Sequence, residues 1–163
     1  MVQEEVEVDV EIKSTTAKFY MFARRSQHVS KATRYIQGCD LLEGEWGKIG
    51  SILLWKLTPD GEPRVSKDRI EAMDVENNVI QWRVLEGPLK KEYKSFLKTM
   101  KVSPKKGEPG SVVKWNMRYE RLDENVAHPE SLLQFFVEVI KDIDQFLMSD
   151  DKGTLDLLLD LYV

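Results

Sequence analysis

The stretch that most constrains the fold is residues 129–148, PESLLQFFVEVIKDIDQFLM. Its apolar side chains recur every three or four positions and its polar ones take the opposite side, which is typical of an amphipathic helix. Pro129 and Glu130 suit the first turn of such a helix. The apolar set is Leu132, Phe136, Val139, Ile140, Ile143 and Leu147. Because burying each large side chain contributes roughly 1.5 to 3 kcal/mol, we expect the rest of the chain to wrap around this helix.

The N-terminal segment predicts a strand followed by short helices. Val6, Val8, Val10 and Ile12 alternate with charged residues, which is the period-two pattern of a strand with one dry face. The polar run at residues 14–16 can cap a helix that continues to residue 22. A second brief helical segment is expected near residues 29–33.

Between residues 35 and 119, strand-like runs alternate with turn signals rich in Gly, Pro, Asn and Asp. The predicted strands cover residues 35–42, 50–57, 65–74, 78–85, 93–103 and 111–120. Their short connections favour antiparallel neighbours. The prediction is therefore an α+β fold, in which a curved seven-stranded antiparallel sheet wraps a long C-terminal helix and two short helices follow the first strand.

Strand alternation also predicts which side chains face the helix. The inward set is Leu53, Trp55, Leu57, Ile80, Trp82, Val84, Val113, Trp115, Met117 and Tyr119, together with Ser66, Asp68, Ile70 and Ala72. The three tryptophans in this set can either fill a core or line an apolar cavity. Ser66 and Asp68 can either supply a cavity with polar groups or make structural hydrogen bonds. The sequence leaves both pairs of alternatives open.

The charge, the cysteine count and the length of the apolar runs limit the classes of function that this chain can have. A net charge of −4 over 163 residues lacks the basic field of a general nucleic-acid binder. Cys39 is the only cysteine, which excludes an intramolecular disulfide and a cysteine-rich zinc site. No apolar run approaches the ~18 residues of a membrane span, and the N-terminus lacks the apolar core of a signal peptide. We therefore expect a cytoplasmic protein with one domain over residues 1–149.

The reactive residue types form no recognisable catalytic or metal-binding set. His28 and His128 lie in loop-like contexts, where we expect them to be solvated, and neither has a partner at metal-ligand spacing. Cys39 has no identifiable base partner. Residues 43–50 form a glycine-rich loop without the Gly-Lys-Ser/Thr ending of a nucleotide site, so a tight turn is the favoured interpretation. We predict no metal and no cofactor.

A group of lysines follows the predicted strand at residues 78–85. Lys90, Lys91, Lys94, Lys98 and Lys101 are interpreted as an exposed strand edge, where charge protects against pairing with another sheet.

Several short motifs resemble the plant major latex proteins. They are DVEIK at residues 9–13, HVSKA at 28–32, IQGCDL at 36–41, EGEWGKIGS at 43–51, YKSFL at 93–97 and VAHPE at 126–130. These proteins form a branch of the birch-pollen-allergen family, pathogenesis-related class ten, which is related to START-type domains. The resemblance covers about residues 5 to 149.

The resemblance implies a helix-grip fold with a hydrophobic cavity between sheet and long helix. It also implies an intracellular location and a link to defence or stress. We expect a monomer that binds a sterol, a fatty acid or a secondary metabolite, with no nucleic-acid partner and no integral membrane association. The implied ligand-binding positions are Phe22, Trp55, Ser66, Asp68, Ile80, Trp82, Met100, Val113, Trp115, Phe136 and Ile140. Two alternatives remain. One is a condensing or isomerising enzyme of specialised metabolism that uses Lys98 or Asp68, and the other is a protein that acts through its surface.

The C-terminus departs from this resemblance. The family pattern ends soon after Leu147, whereas residues 150–163 add a leucine-rich tail that we expect to lie outside the domain. Its Leu-x-Leu-x-Leu spacing resembles a plant corepressor-docking motif. The alternative is a variable C-terminus without a role of its own.

Overall fold

The computed structural model describes residues 2–149, and the leucine-rich tail lies outside the described residues. The described part of the chain forms seven strands and two α-helices. In chain order these are β1 Glu4–Ile12, α1 Thr16–Ala23, β2 Ile36–Glu43, β3 Ile52–Leu57, β4 Arg64–Asp74, β5 Val79–Glu86, β6 Tyr93–Pro104, β7 Ser111–Arg121 and α2 Glu130–Ser149. Two short 3-10 helices, Ser26–Lys31 and Pro88–Lys91, complete the set. The first of them begins earlier than the helical segment predicted at residues 29–33.

The strands form one antiparallel sheet in the order β1-β7-β6-β5-β4-β3-β2. Strands β2 to β7 are neighbours in sequence order because their connections are short. β1 instead pairs with β7 at the far edge, since α1 and the following 3-10 helix carry the chain from one edge of the sheet to the other. This arrangement confirms the predicted α+β fold. No helix within residues 2–149 combines the length and the apolar character needed to cross a membrane.

Helix α2 buries a wider face than its sequence pattern predicts. Its buried side chains are Phe135, Phe136, Val137, Val139, Ile140, Ile143 and Leu147. Leu132, which was predicted to belong to this face, is only partly buried. The face is wider because elements outside the sheet also contact the helix. The ring of Phe135 meets Tyr35 at 6.0 Å, and Phe22 of α1 meets Phe146 at 5.5 Å.

A carboxylate on α2 fixes the start of α1 against the helix. Asp144 accepts hydrogen bonds from the backbone N–H groups of Lys13 and Ser14, both at 2.9 Å, and from the Ser14 hydroxyl at 2.6 Å. The sequence pattern predicts that the polar residues of α2 face the solvent. Asp144 instead joins α2 to the β1–α1 connection.

Strand β4 corrects one predicted orientation. Ser66, Asp68 and Ile70 point inward as predicted, but a bulge lies between Ile70 and Ala72. A bulge adds one residue to a strand and reverses the alternation beyond it. Met73 therefore faces Ile80 and packs against the core, in place of Ala72.

The interpretation of the lysine group as a strand edge was wrong. Strand β6 lies between β5 and β7, so neither of its sides is an edge. Lys98 is only 6% exposed, whereas Lys94 and Lys101 on the same strand are exposed. Lysines at positions 90 and 91 lie in the second 3-10 helix.

Candidate functional site

A cavity of about 60 Å³ lies between the sheet and α2. Its wall is formed by Phe19, Ala23, Val29, Ile36, Trp55, Leu57, Trp82, Lys98, Met100, Trp115, Phe136, Val139, Ile140 and Ile143. Every one of these residues except Lys98 is apolar. The residues come from α1, the first 3-10 helix, strands β2, β3, β5, β6 and β7, and α2, so the cavity is a product of the whole fold.

The structure brings six of the predicted site residues to this wall: Trp55, Trp82, Met100, Trp115, Phe136 and Ile140. Phe22, Ile80 and Val113 have no exposed surface and belong to the packed core rather than to the cavity wall. Strand alternation selects the correct face for Ile80 and Val113. It carries no information on how far along the strand a cavity extends.

Sequence reasoning missed several wall residues. They are Phe19, Ala23, Val29, Ile36, Leu57, Lys98, Val139 and Ile143. Leu57, Val139 and Ile143 stood on faces predicted to point inward, so strand and helix periodicity could have found them. Ala23 and Val29 belong to the connection between β1 and β2, whose path no periodic pattern describes, and Ile36 is the first residue of β2.

The aromatic part of the wall is packed on itself. The rings of Trp82 and Trp115 lie 5.6 Å apart, and Trp115 stacks on Phe136 with 4.2 Å between ring centroids. Tilted and stacked aromatic pairs of this kind contribute about 0.5 to 1.5 kcal/mol beyond their buried area. These side chains therefore pack in the core with one another and also bound the cavity.

A buried polar chain runs behind the wall from Lys98 through Asp68 to Ser66. The Lys98 Nζ donates to Asp68 Oδ2 at 2.5 Å, and the Ser66 hydroxyl donates to Asp68 Oδ1 at 2.7 Å. The Asp68 side chain has no exposed surface, while that of Lys98 retains 8%. A buried charge is costly unless it is paired and hydrogen-bonded. Asp68 thus makes the structural hydrogen bonds that the sequence allowed, and it holds Lys98 at the cavity.

Two of the wall residues, Trp82 and Trp115, each carry a further polar group. The indole Nε1–H groups of Trp82 and Trp115 are buried and have no hydrogen-bond partner among the described residues. The Lys98 ammonium also lies 5.7 Å from the ring centroid of Phe136, a cation–π distance. The polar side-chain groups of the wall are therefore all donors.

A larger cleft of about 630 Å³ lies outside the cavity. It is bounded by the β3–β4 turn, the second 3-10 helix and the start of α2, with Pro59, Arg64, Ser66, Pro88 and His128 among its lining residues. Leu57 lines both spaces and stands at the boundary between them. Ser66, a predicted site residue, faces this outer cleft.

His128 is exposed, as predicted, and also makes a specific contact. Its Nδ1 lies 2.6 Å from the Tyr119 hydroxyl. Burial, the largest cause, raises the pKa of Tyr119. The histidine thus links the segment before α2 to strand β7.

The remaining candidates are structural. In the glycine-rich loop, the Ser51 hydroxyl donates to the Glu45 carbonyl at 2.6 Å and accepts from the Glu45 N–H at 3.0 Å. Gly44 has φ +85°, and a Cβ there would meet Ser51 Oγ at 2.5 Å, so the turn requires glycine. These contacts agree with the interpretation of the loop as a tight turn. Within residues 2–149, no group of three or more His, Cys, Asp or Glu side chains could hold a metal ion.

Comparison with known proteins gives a consistent match. Residues 1–150 match the model of the pathogenesis-related protein Bet v 1 family. The chain is 75% identical to MLP-like protein 168 of Arabidopsis thaliana over 92% of this chain and 99% of that protein. It is 76% identical to MLP-like protein 165 of the same plant, over 93% and 100%. The crystal structure of major latex-like protein 151 from Panax ginseng superposes with a TM-score of 0.85 at 37% identity, over 91% of this chain and 99% of that one.

Proposed function

The chain belongs to the pathogenesis-related protein Bet v 1 family, and from this premise we propose that it binds and carries small hydrophobic molecules in the cavity between the sheet and α2. The observation that carries the proposal is the composition of the wall, in which Lys98 is the single charged side chain among apolar ones. Ligand sites in proteins are mostly apolar surfaces with a few placed polar groups. The ligand-binding side chains we propose are those of Trp55, Trp82, Met100, Trp115, Phe136 and Ile140.

The size of the cavity implies that it expands around its ligand. A volume of about 60 Å³ has room for on the order of four water molecules, whereas pockets for drug-sized ligands span roughly 300 to 1,000 Å³. Leu57 separates the cavity from the larger outer cleft. A shift of this half-buried side chain would join the two spaces, so we propose that ligands enter through the outer cleft.

The ligand classes that fit this proposal are sterols, fatty acids and plant secondary metabolites. We propose that the protein acts as a monomer in the cytosol, without a nucleic-acid partner, in a defence or stress response. The net charge of −4 supports the absence of nucleic acid from this list.

A matched pair of substitutions on α1 tests the proposal. Ala23 lines the cavity, whereas Ala17 on the same helix is exposed. We expect the unmodified protein to bind N-phenyl-1-naphthylamine saturably at one molecule per chain, with energy transfer from tryptophan. Ala23→Leu fills part of the cavity and should weaken binding at least tenfold, while Ala17→Leu should leave it unchanged. Absence of saturable binding, or equal binding by Ala23→Leu, would contradict the proposal.

Lys98 favours one second candidate, an enzyme of specialised metabolism. A lysine at an apolar cavity beside a carboxylate can form an imine with a carbonyl substrate and release water. Incubation with octanal and borohydride would reduce such an imine to a stable amine. A mass increase on the peptide that contains Lys98, absent in Lys98→Arg, would support the enzyme. Lack of modification at that peptide would remove this mechanism.

A further inference from the structure

We propose that the cavity selects apolar molecules that carry one neutral oxygen acceptor, a hydroxyl or a carbonyl group, and that Lys98 donates a hydrogen bond to that oxygen. This inference rests on the proposed function, because it names the class of ligand for the same cavity. It decides between two of the classes named above, since sterols carry such an oxygen and ionised fatty acids carry a charged one.

The first argument is the inventory of polar side-chain groups around the cavity. The wall residues that carry a polar side-chain group are Lys98, Trp82 and Trp115. The buried indole N–H groups of the two tryptophans have no partner among the described residues. The nearby acceptor, Asp68, has one oxygen bound by Lys98 and the other by Ser66. A buried donor without an acceptor is costly. A ligand that brings an acceptor removes this cost, whereas a ligand that brings only donors adds to it.

The second argument is the position of these donors. Trp82 and Lys98 are paired in the β5–β6 register, and Trp115 is paired with Met100 in the β6–β7 register. Phe136 of α2 contacts one residue of each pair. Its ring centroid lies 5.7 Å from Lys98 Nζ, and its ring stacks on that of Trp115 with 4.2 Å between the centroids. The three donor side chains therefore surround one region of the wall. An ammonium has three N–H groups, and the structure assigns one of them to Asp68.

The third argument is charge. Lys98 and Asp68 form a buried pair whose charges cancel, with the Asp68 side chain fully inaccessible. A ligand carboxylate placed beside Lys98 would add a third charge and leave the buried group with a net charge of −1. Uncompensated buried charge is strongly unfavourable. A hydroxyl or carbonyl oxygen accepts the same hydrogen bond without that cost.

Four eight-carbon ligands test the inference: octane, 1-octanol, 2-octanone and octanoate, at pH 8, where octanoate is ionised. Binding is measured by displacement of N-phenyl-1-naphthylamine. In the unmodified protein we expect 1-octanol and 2-octanone to bind at least tenfold more tightly than octanoate. Lys98→Met combined with Asp68→Leu removes the donor and the pair together, because removing one partner alone would strand a buried charge. This double variant should reduce the affinity for 1-octanol and 2-octanone, relative to octane, at least tenfold.

The exposed pair Lys56–Asp40 supplies the matched control. Its charged atoms lie 3.0 Å apart and both side chains are about half exposed. Lys56→Met combined with Asp40→Leu should leave all four affinities unchanged. Circular dichroism establishes that each double variant is folded. If the buried variant does not fold, the order of the four ligands on the unmodified protein decides the question alone.

The outcomes separate the inference from the proposed function. Binding of octane, 1-octanol and octanoate within threefold of one another would overturn the inference and leave the carrier function standing. Tightest binding of octanoate would also overturn it, because the cavity would then select an anion. A uniform loss for all four ligands in the buried variant would show that the pair only maintains the wall. Failure of every ligand to bind would remove the proposed function and the inference with it.

Discussion

Cys39 lies on β2 opposite Trp55, and its thiol is protected by its surroundings. Burial, followed by the nearby charges of Asp68 and Asp40, raises the pKa of this thiol to about 12, although Lys98 opposes the shift. Because the thiolate is the nucleophile, a thiol with this pKa is inert near neutrality. This environment agrees with the interpretation of Cys39 as a strand residue.

The raised pKa predicts slow alkylation. At pH 8 the thiolate fraction falls from about a tenth, at the ordinary pKa of 9.0, to about one in ten thousand. Iodoacetamide should therefore modify Cys39 on the order of 10²- to 10³-fold more slowly in the folded protein than in denaturant, and the rate should rise with pH towards about 12. Equal rates in the two states at pH 8 would contradict the raised pKa of this partly buried thiol.

The same shift links Cys39 to stability. The folded state holds a proton that the unfolded state releases above about pH 9. The contribution of the Cys39 thiol to the free energy of unfolding is therefore fully present below about pH 9 and is lost as the pH rises towards 12.

Single residues also mark the limit of prediction from sequence. Alternation along β4 placed Asp68 inward correctly, because one face of that strand is dry. Lys98 was placed on an edge, because lysine is rarely buried unless it is paired. Its partner Asp68 is 30 positions away in sequence. The pairing depends on the sheet order β6-β5-β4, which local patterns do not specify.

At the scale of elements, the contact between α2 and the β1–α1 connection holds the helix against one edge of the sheet. Asp144 accepts three hydrogen bonds there, from two backbone N–H groups and the Ser14 hydroxyl. We predict that Asp144→Ala lowers the free energy of unfolding by about 2 to 4 kcal/mol, since hydrogen bonds to charged groups are the stronger kind. Urea unfolding measures the change.

The neighbouring residue on the same helix supplies the control for that prediction. Gln145 is exposed, so Gln145→Ala should change stability by no more than about 0.5 kcal/mol. Losses of similar size in the two variants would show that the substitution acts through the helix itself rather than through the contact with Ser14.

Periodicity predicted the elements better than it predicted their junctions. The six predicted central strands, the first strand and the long helix all appear with small changes at their ends. The bulge between Ile70 and Ala72 was not predicted, because it depends on pairing with β5. Of the cavity residues that were missed, Ala23 ends α1, Ile36 begins β2, and Val29 lies in the short 3-10 helix between them, where no periodic pattern applies.

At the scale of the whole molecule, all seven strands and both α-helices that the structure describes lie within residues 2–149. The family model likewise matches residues 1–150. We therefore predict that removal of residues 152–163 shifts the thermal midpoint by less than about 4 °C, which corresponds to roughly 1 kcal/mol for a domain of this size. Thermal unfolding followed by circular dichroism provides the measurement. A larger fall would assign the tail leucines to the core.

The central claim is that an apolar ligand occupies the cavity between sheet and helix, and a crystal structure with 8-bromooctan-1-ol tests it most directly. The anomalous signal of bromine locates the ligand independently of any coordinates built for the rest of the ligand molecule. We predict bromine within the space bounded by Trp82, Trp115 and Ile140, with the cavity enlarged beyond its present volume of about 60 Å³. Bromine confined to the outer cleft beside Pro59 and His128, or found only on the protein surface, would contradict the claim.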